Sequence, residues 1–189
     1  MARVWILLLA VAAFAGCSAT AGRRTDLAGA SAVGSDDAAR LARLEHIGRQ
    51  VTPVVSPSDA ITFGLSSRGA LGAWSWPDGR IRASRALVDL LDDDELAAAL
   101  AHEVGHLVDG GHIAGEPAAL SGIRGTPGSE ARADVLGCRI LVELGRRPET
   151  LPRMLRTVAA GLARGAEGPD PEVMLARASA AAAPCSKSP

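Results

Sequence analysis

The chain of 189 residues contains no tyrosine, and its aromatic residues, two Phe and three Trp, make up only 3% of it. Ala, Leu and Val must therefore fill whatever core it builds, and no phenol hydroxyl is available to any chemistry it performs. It also lacks a charge excess: 20 Lys and Arg stand against 21 Asp and Glu, for a net charge of −1. That balance gives no footing for a nucleic-acid partner or for charge-driven attachment to an anionic membrane. Its apolar run at 4–15 is too short to span a bilayer, which takes about 20 residues. There is no internal repeat and no sign of a second domain. What is present is 48% hydrophobic residues, which argues against disorder, and enough length for one domain with a substantial core.

The N-terminus reads as export machinery. Arg3 supplies a positive charge ahead of the apolar run, which ends in Phe14-Ala15-Gly16-Cys17. These four residues resemble a bacterial lipobox, with Phe14 where Leu is usual. The resemblance implies that residues 1–16 are a lipoprotein signal peptide and that Cys17 carries the acyl chains, anchoring the protein to a membrane of the cell envelope. Ser18 after the cysteine implies the outer membrane, with the domain facing the periplasm. The plainer alternatives are an ordinary secretory signal cut near Gly16, or an uncleaved anchor. Residues 17–36, rich in Ala, Gly, Ser and Thr, read as a flexible linker, leaving 37–189 for the domain. In an oxidising compartment Cys138 and Cys185 are the candidate intramolecular pair once Cys17 is acylated. A bridge would pin the C-terminal tail to the helix of Cys138; the alternative is two unrelated thiols.

Residues 37–51 carry Leu41, Leu44, Ile47 and Val51 at helical spacing, with His46 on the surface. Residues 60–66 and 70–76 read as strands, and Trp76-Pro77-Asp78-Gly79 as a turn before an extended 80–83, giving a small hairpin sheet. Trp74 and Trp76 share a strand face, either as packing or as the wall of a substrate groove, and packing is preferred. Asp92-Asp93-Asp94-Glu95 opens a helix with a capping-box-like start, running to about residue 108 and stopped by Asp109-Gly110-Gly111. Further helices are expected at 129–144, 148–164 and 171–182.

The chemistry is concentrated in His102-Glu103-Val104-Gly105-His106. Positions i and i+4 stack one turn apart, so His102 and His106 can offer two imidazoles to one zinc ion. Glu103 projects about 100° round the helix from His102 and is placed to activate a zinc-bound water as general base. An exposed helical face could bear the same residues. Here, however, Leu96, Ala97, Leu100, Ala101, Val104 and Leu107 surround them, so the polar groups would be buried and need a partner, which a metal provides. A hydrolytic site needs a third protein ligand and an open fourth position. Glu130, followed one turn on by Asp134, is one candidate. His112 is the other, because His102, His106 and His112 match the metzincin spacing, although Asp109 occupies that motif's glycine position.

From about residue 70 to 145 the order of motifs resembles the HtpX-like metallopeptidases, the group that includes the CAAX prenyl endopeptidases. Gly72-Ala73-Trp74-Ser75-Trp76-Pro77-Asp78-Gly79 looks like their hairpin, the stretch from Asp94 through His106 like their catalytic helix, and Glu130-Ala131-Arg132-Ala133-Asp134 like their Glu-x-x-x-Asp motif. The resemblance implies an α+β, mostly helical gluzincin-type domain with a small β-hairpin sheet beside the His-Glu-x-x-His helix. It implies one zinc per chain on His102, His106 and Glu130, with Asp134 orienting a ligating imidazole, and a zinc endopeptidase acting on extended or misfolded envelope polypeptides. There are departures. Gly72 stands where relatives carry Asn, and Gly168-Pro169-Asp170-Pro171 offers no histidine where many relatives have one. With no tyrosine, transition-state help must come from His112, Arg132 or backbone donors. The rival readings are a non-catalytic zinc-binding envelope lipoprotein, serving as adaptor or chaperone, and a metzincin-like protease using His112.

Overall fold

A computed structural model describes residues 26–53, 61–110, 118–119 and 127–186, and among these described residues there are six helices and four short strands. Residues 1–16, read as a signal peptide, and Cys17 and His112 lie outside the described residues. Helix α1 (Asp26–Val51) begins well before the expected residue 37 and takes in part of the segment read as linker. Its packed end buries Leu44, Ile47 and Val51, and from there Ala-rich sequence propagates the helix outward, since each added residue costs little once a turn is anchored. His46 is exposed, as its place on the helix predicts.

Strands β1 (Thr62–Ser66), β2 (Ala73–Ser75) and β3 (Arg80–Ser84) are joined by β4 (Ala118–Ala119) in a sheet of order β1-β3-β2-β4. The expected hairpin is β2–β3, antiparallel around the turn at 76–79, where Gly79 takes φ 86°. β1 adds to β3 in parallel. The strand read at 70–76 shortens to 73–75 because its first residues bond elsewhere. Leu71 donates to the carbonyl of Glu167, and Gly72 is held by the Ser84 hydroxyl and backbone.

Helix α2 (Arg85–Leu90) leads into α3 (Asp93–Asp109), followed by α4 (Pro127–Glu143), α5 (Thr150–Ala163) and α6 (Pro171–Ser186). The fold is α+β and mostly helical, as expected. α3 is its axis. Every residue from Glu95 to His106 is buried, so the helix is enclosed on all sides rather than along one stripe. Its start is fixed by a complete capping box between Asp92 and Glu95, and Glu95 also accepts from Thr157 of α5 at 2.7 Å. No described helix is long and apolar enough to cross a membrane.

Candidate metal centre

Because α3 is buried throughout, the three polar residues of its central turns sit in the core: His102, Glu103 and His106 are each 0% exposed. The i, i+4 spacing places the two imidazoles edge to face, with centroids 4.7 Å apart and their Nε2 atoms 3.1 Å apart. Both carboxylate oxygens of Glu103 are buried and make no hydrogen bond among the described residues. An orphaned buried carboxylate costs several kcal/mol unless something outside the chain meets it. Burial pushes the Glu103 carboxyl up, and the imidazoles of His102 and His106, with the nearby Ser75 hydroxyl, offset part of that rise.

The third donor comes from α4, which lies unusually close to α3. A Cβ added at Gly105 would meet the Ala133 backbone oxygen at 2.8 Å, and one at Gly137 would meet the backbone of His102 at 3.2 Å. Two glycines facing each other's helices let the backbones approach, and that approach delivers Glu130 to the histidines. Its carboxylate oxygens lie 3.4 Å from His102 Nε2 and 3.3 Å from His106 Nε2. One turn on, Asp134 accepts from His102 Nδ1 at 2.8 Å, fixing the tautomer that leaves Nε2 as a donor atom for a metal.

Do these residues fit zinc? Ligand atoms about 2.0 to 2.2 Å from a tetrahedral ion lie roughly 3.3 to 3.6 Å from one another. The imidazole nitrogens, 3.1 Å apart, lie just below that range, and the nearest Glu130 oxygen to each, at 3.3 and 3.4 Å, lies within it. The three ligand atoms form a group spanning at most 4.8 Å. Charge agrees with geometry. Arg177 pairs with Glu130 and Asp134, one guanidinium for two carboxylates, so negative charge remains beside the histidines for a cation to neutralise.

Arg177, from α6, is the residue that the sequence reading missed. It is 12% exposed, pairs with Glu130 at 2.9 Å and Asp134 at 2.7 Å, and its Nη2 lies 3.5 Å from His102 Nδ1. A signal was available: two carboxylates forced into the core need a cation besides the metal, and Arg177 is the one charged residue in an alanine-rich stretch. These groups shift one another. Burial alone would lower His102, but the Asp134 and Glu130 carboxylates outweigh it and push the imidazole up to about 9. Burial would raise both carboxyls, yet His102 and Arg177 hold Glu130 and Asp134 below their usual range.

Residues 38–119 match the profile of peptidase family M48. That stretch, somewhat under half of the chain, is similar to the M48 peptidases. The match spans α1 through α3 and stops short of α4, so the Glu130 donor rests on geometry. M48 peptidases are zinc-dependent, and the cluster of His102, His106 and Glu130 fits that requirement. No curated protein matches the chain. Other expected residues fall in different places around this site. Arg132 projects from another face of α4 than Glu130 and Asp134; its half-exposed guanidinium bonds Asp109 at 2.9 and 3.0 Å. Cys138 and Cys185 form a disulfide. Trp74 is buried beneath the Arg68 guanidinium, 5.1 Å from its ring centroid, while Arg80 stacks on Trp76 at 5.3 Å. Both tryptophans are engaged in packing. At Gly72 the Trp74 ring lies 3.3 Å from where a Cβ would begin, so Trp74 fills the space that a side chain there would need.

Proposed function

We propose that this chain is a zinc-dependent endopeptidase that hydrolyses peptide bonds of extended or misfolded envelope proteins, held to the membrane by lipid on Cys17, in the outer membrane facing the periplasm. The observation that carries the catalytic part is the convergence of His102, His106 and Glu130 beside a buried Glu103 carboxylate that has no well-formed hydrogen bond among the described residues. A structural zinc site has no use for such a carboxylate, whereas a hydrolytic one requires it. Zinc bound there would polarise the scissile carbonyl and acidify water. Glu103, its carboxyl raised by burial, takes the proton of the attacking water and returns it to the leaving amine. Asp134 holds the His102 ring and Arg177 holds the two carboxylates of α4, so neither needs to reorganise during the reaction.

A polypeptide substrate is supported by a cavity of about 440 Å³ between α4 and α6, which begins at Glu130 and continues along Val135, Val173, Ala180 and Pro184. Its apolar wall suits the aliphatic side chains that unfolded proteins expose. The lipid anchor and envelope location rest on the lipobox-like N-terminus alone. The test is zinc content together with casein cleavage for wild type, Glu103→Gln and Glu130→Ala. We expect one zinc in wild type, zinc retained without cleavage in Glu103→Gln, and loss of both in Glu130→Ala. Cleavage that persists after zinc removal sinks the reading, and zinc binding without any cleavage favours a non-catalytic adaptor.

A further inference from the structure

Helices α4 and α6 meet along two matched rows. On α4, Glu130, Asp134 and Cys138 follow one another at four-residue steps; on α6, Arg177, Ala181 and Cys185 do the same. Such steps keep each row on one face of its helix. One end of the contact is the ion pair of Arg177 with Glu130 and Asp134, and the other is the covalent bond between Cys138 and Cys185. Between them α6 offers α4 only Ala181, and most of its packing is against α5 rather than α4. Its buried stripe is Met174, Ala178, Ala181 and Cys185, in which Met174 is the single large side chain. Methyl groups of alanine interlock weakly, so they resist sliding or rotation of a helix far less than Leu or Phe would. The last turn is weaker still, because Pro184 lies within the helix and has no N–H to donate.

We propose that the Cys138–Cys185 disulfide is a positioning element of the metal centre: it holds α6 in the register at which Arg177 clamps Glu130 and Asp134, and it thereby sets zinc affinity. The inference rests on the zinc reading above. The two cysteines are positioning residues; both are buried and act through Arg177. A bridge that served only to stabilise the fold would raise global stability without any dependence on Arg177. The two roles separate in a double-mutant comparison.

The full-length chain is purified in detergent, and its zinc dissociation constant is measured by chelator competition for wild type, Cys138→Ala/Cys185→Ala, Arg177→Gln and the triple variant. Loss of groups that orient metal ligands costs about 10- to 100-fold in affinity, so we expect weakening of about tenfold or more for the cysteine pair and for Arg177→Gln. The triple variant should be no weaker than Arg177→Gln alone, within about twofold. Amide exchange over residues 171–186 should quicken in the cysteine variant. Zinc binding as tight as wild type in the cysteine variant overturns the inference, as do losses that multiply in the triple variant. If the alanine variants do not fold, the native sequence reduced with a phosphine supplies the same comparison with and without Arg177. Wild type that takes up no zinc refutes instead the metallopeptidase reading on which this rests.

Discussion

Replacing Gly105 by Ala puts the closeness of α3 and α4 to a quantitative test. In an isolated helix the change is favourable by about 1 kcal/mol, because Ala outranks Gly in helix propensity. Here the new Cβ would sit 2.8 Å from the Ala133 backbone oxygen, 3.2 Å from the Ala133 Cα and 3.3 Å from the Leu136 Cβ. Contacts with backbone cannot be relieved by a rotamer change, so the helices must part by about 0.5 Å to restore ordinary van der Waals separations. Overpacking of this kind costs about 1–3 kcal/mol, which leaves the metal-free protein roughly unchanged or up to about 2 kcal/mol less stable. The metal centre is less forgiving. Ligand distances tolerate about 0.2 Å, and Glu130 rides on the helix that moves, so zinc affinity should fall by about 10- to 100-fold. Chelator competition gives the affinity, and urea unfolding in the presence of a chelator gives the metal-free stability. Retention of wild-type affinity within twofold, or a gain of the full helix-propensity term in stability, would refute the claim that close backbone approach delivers the third ligand.

Two further predictions concern the metal-free protein. His102 is pushed up to about 9 from its ordinary 6.5 by Asp134 and Glu130, with Arg177 opposing them. A raised imidazole adds stability that is fully present below its unfolded value and is lost as pH rises to the folded one. Unfolding free energy should therefore fall by about 3 kcal/mol between pH 6.5 and about 9, and the fall should vanish once zinc replaces the proton. Denaturant titrations at several pH values, with and without zinc, check this; an equal slope in both forms would contradict it. Asp92→Ala removes the capping box that starts α3, and the Asp92 pairing with Arg153 at 3.0 Å. A loss of about 1 kcal/mol in urea unfolding is expected, with zinc affinity unchanged because the ligands sit two turns or more inside the helix.

Much of this protein was legible in the sequence because the relevant physics is local. The capping box at Asp92 and Glu95, the i, i+4 pair of His102 and His106, and the turn at Gly79 depend on residues within a few positions of each other. The apolar residues around the motif already implied burial, and α3 is buried from Glu95 to His106. Boundaries were less legible. Helix α1 extends to Asp26, and the strand read at 70–76 is cut to 73–75 by bonds from Leu71 to Glu167 and from Gly72 to Ser84.

By itself the sequence determined the α3 half of the metal centre and the base beside it, since helical periodicity fixes which side chains share a face. For the third donor it left Glu130 and His112 both open until a family pattern favoured one. Tertiary structure decided the rest. The approach of α4 through Gly105 and Gly137 brings Glu130 to the histidines, and the docking of α6 brings Arg177 to Glu130 and, across 43 residues of chain, to Asp134. No periodicity encodes that contact, because its cause is the demand of buried carboxylates for a cation, and which cation answers is settled only when the helices are packed.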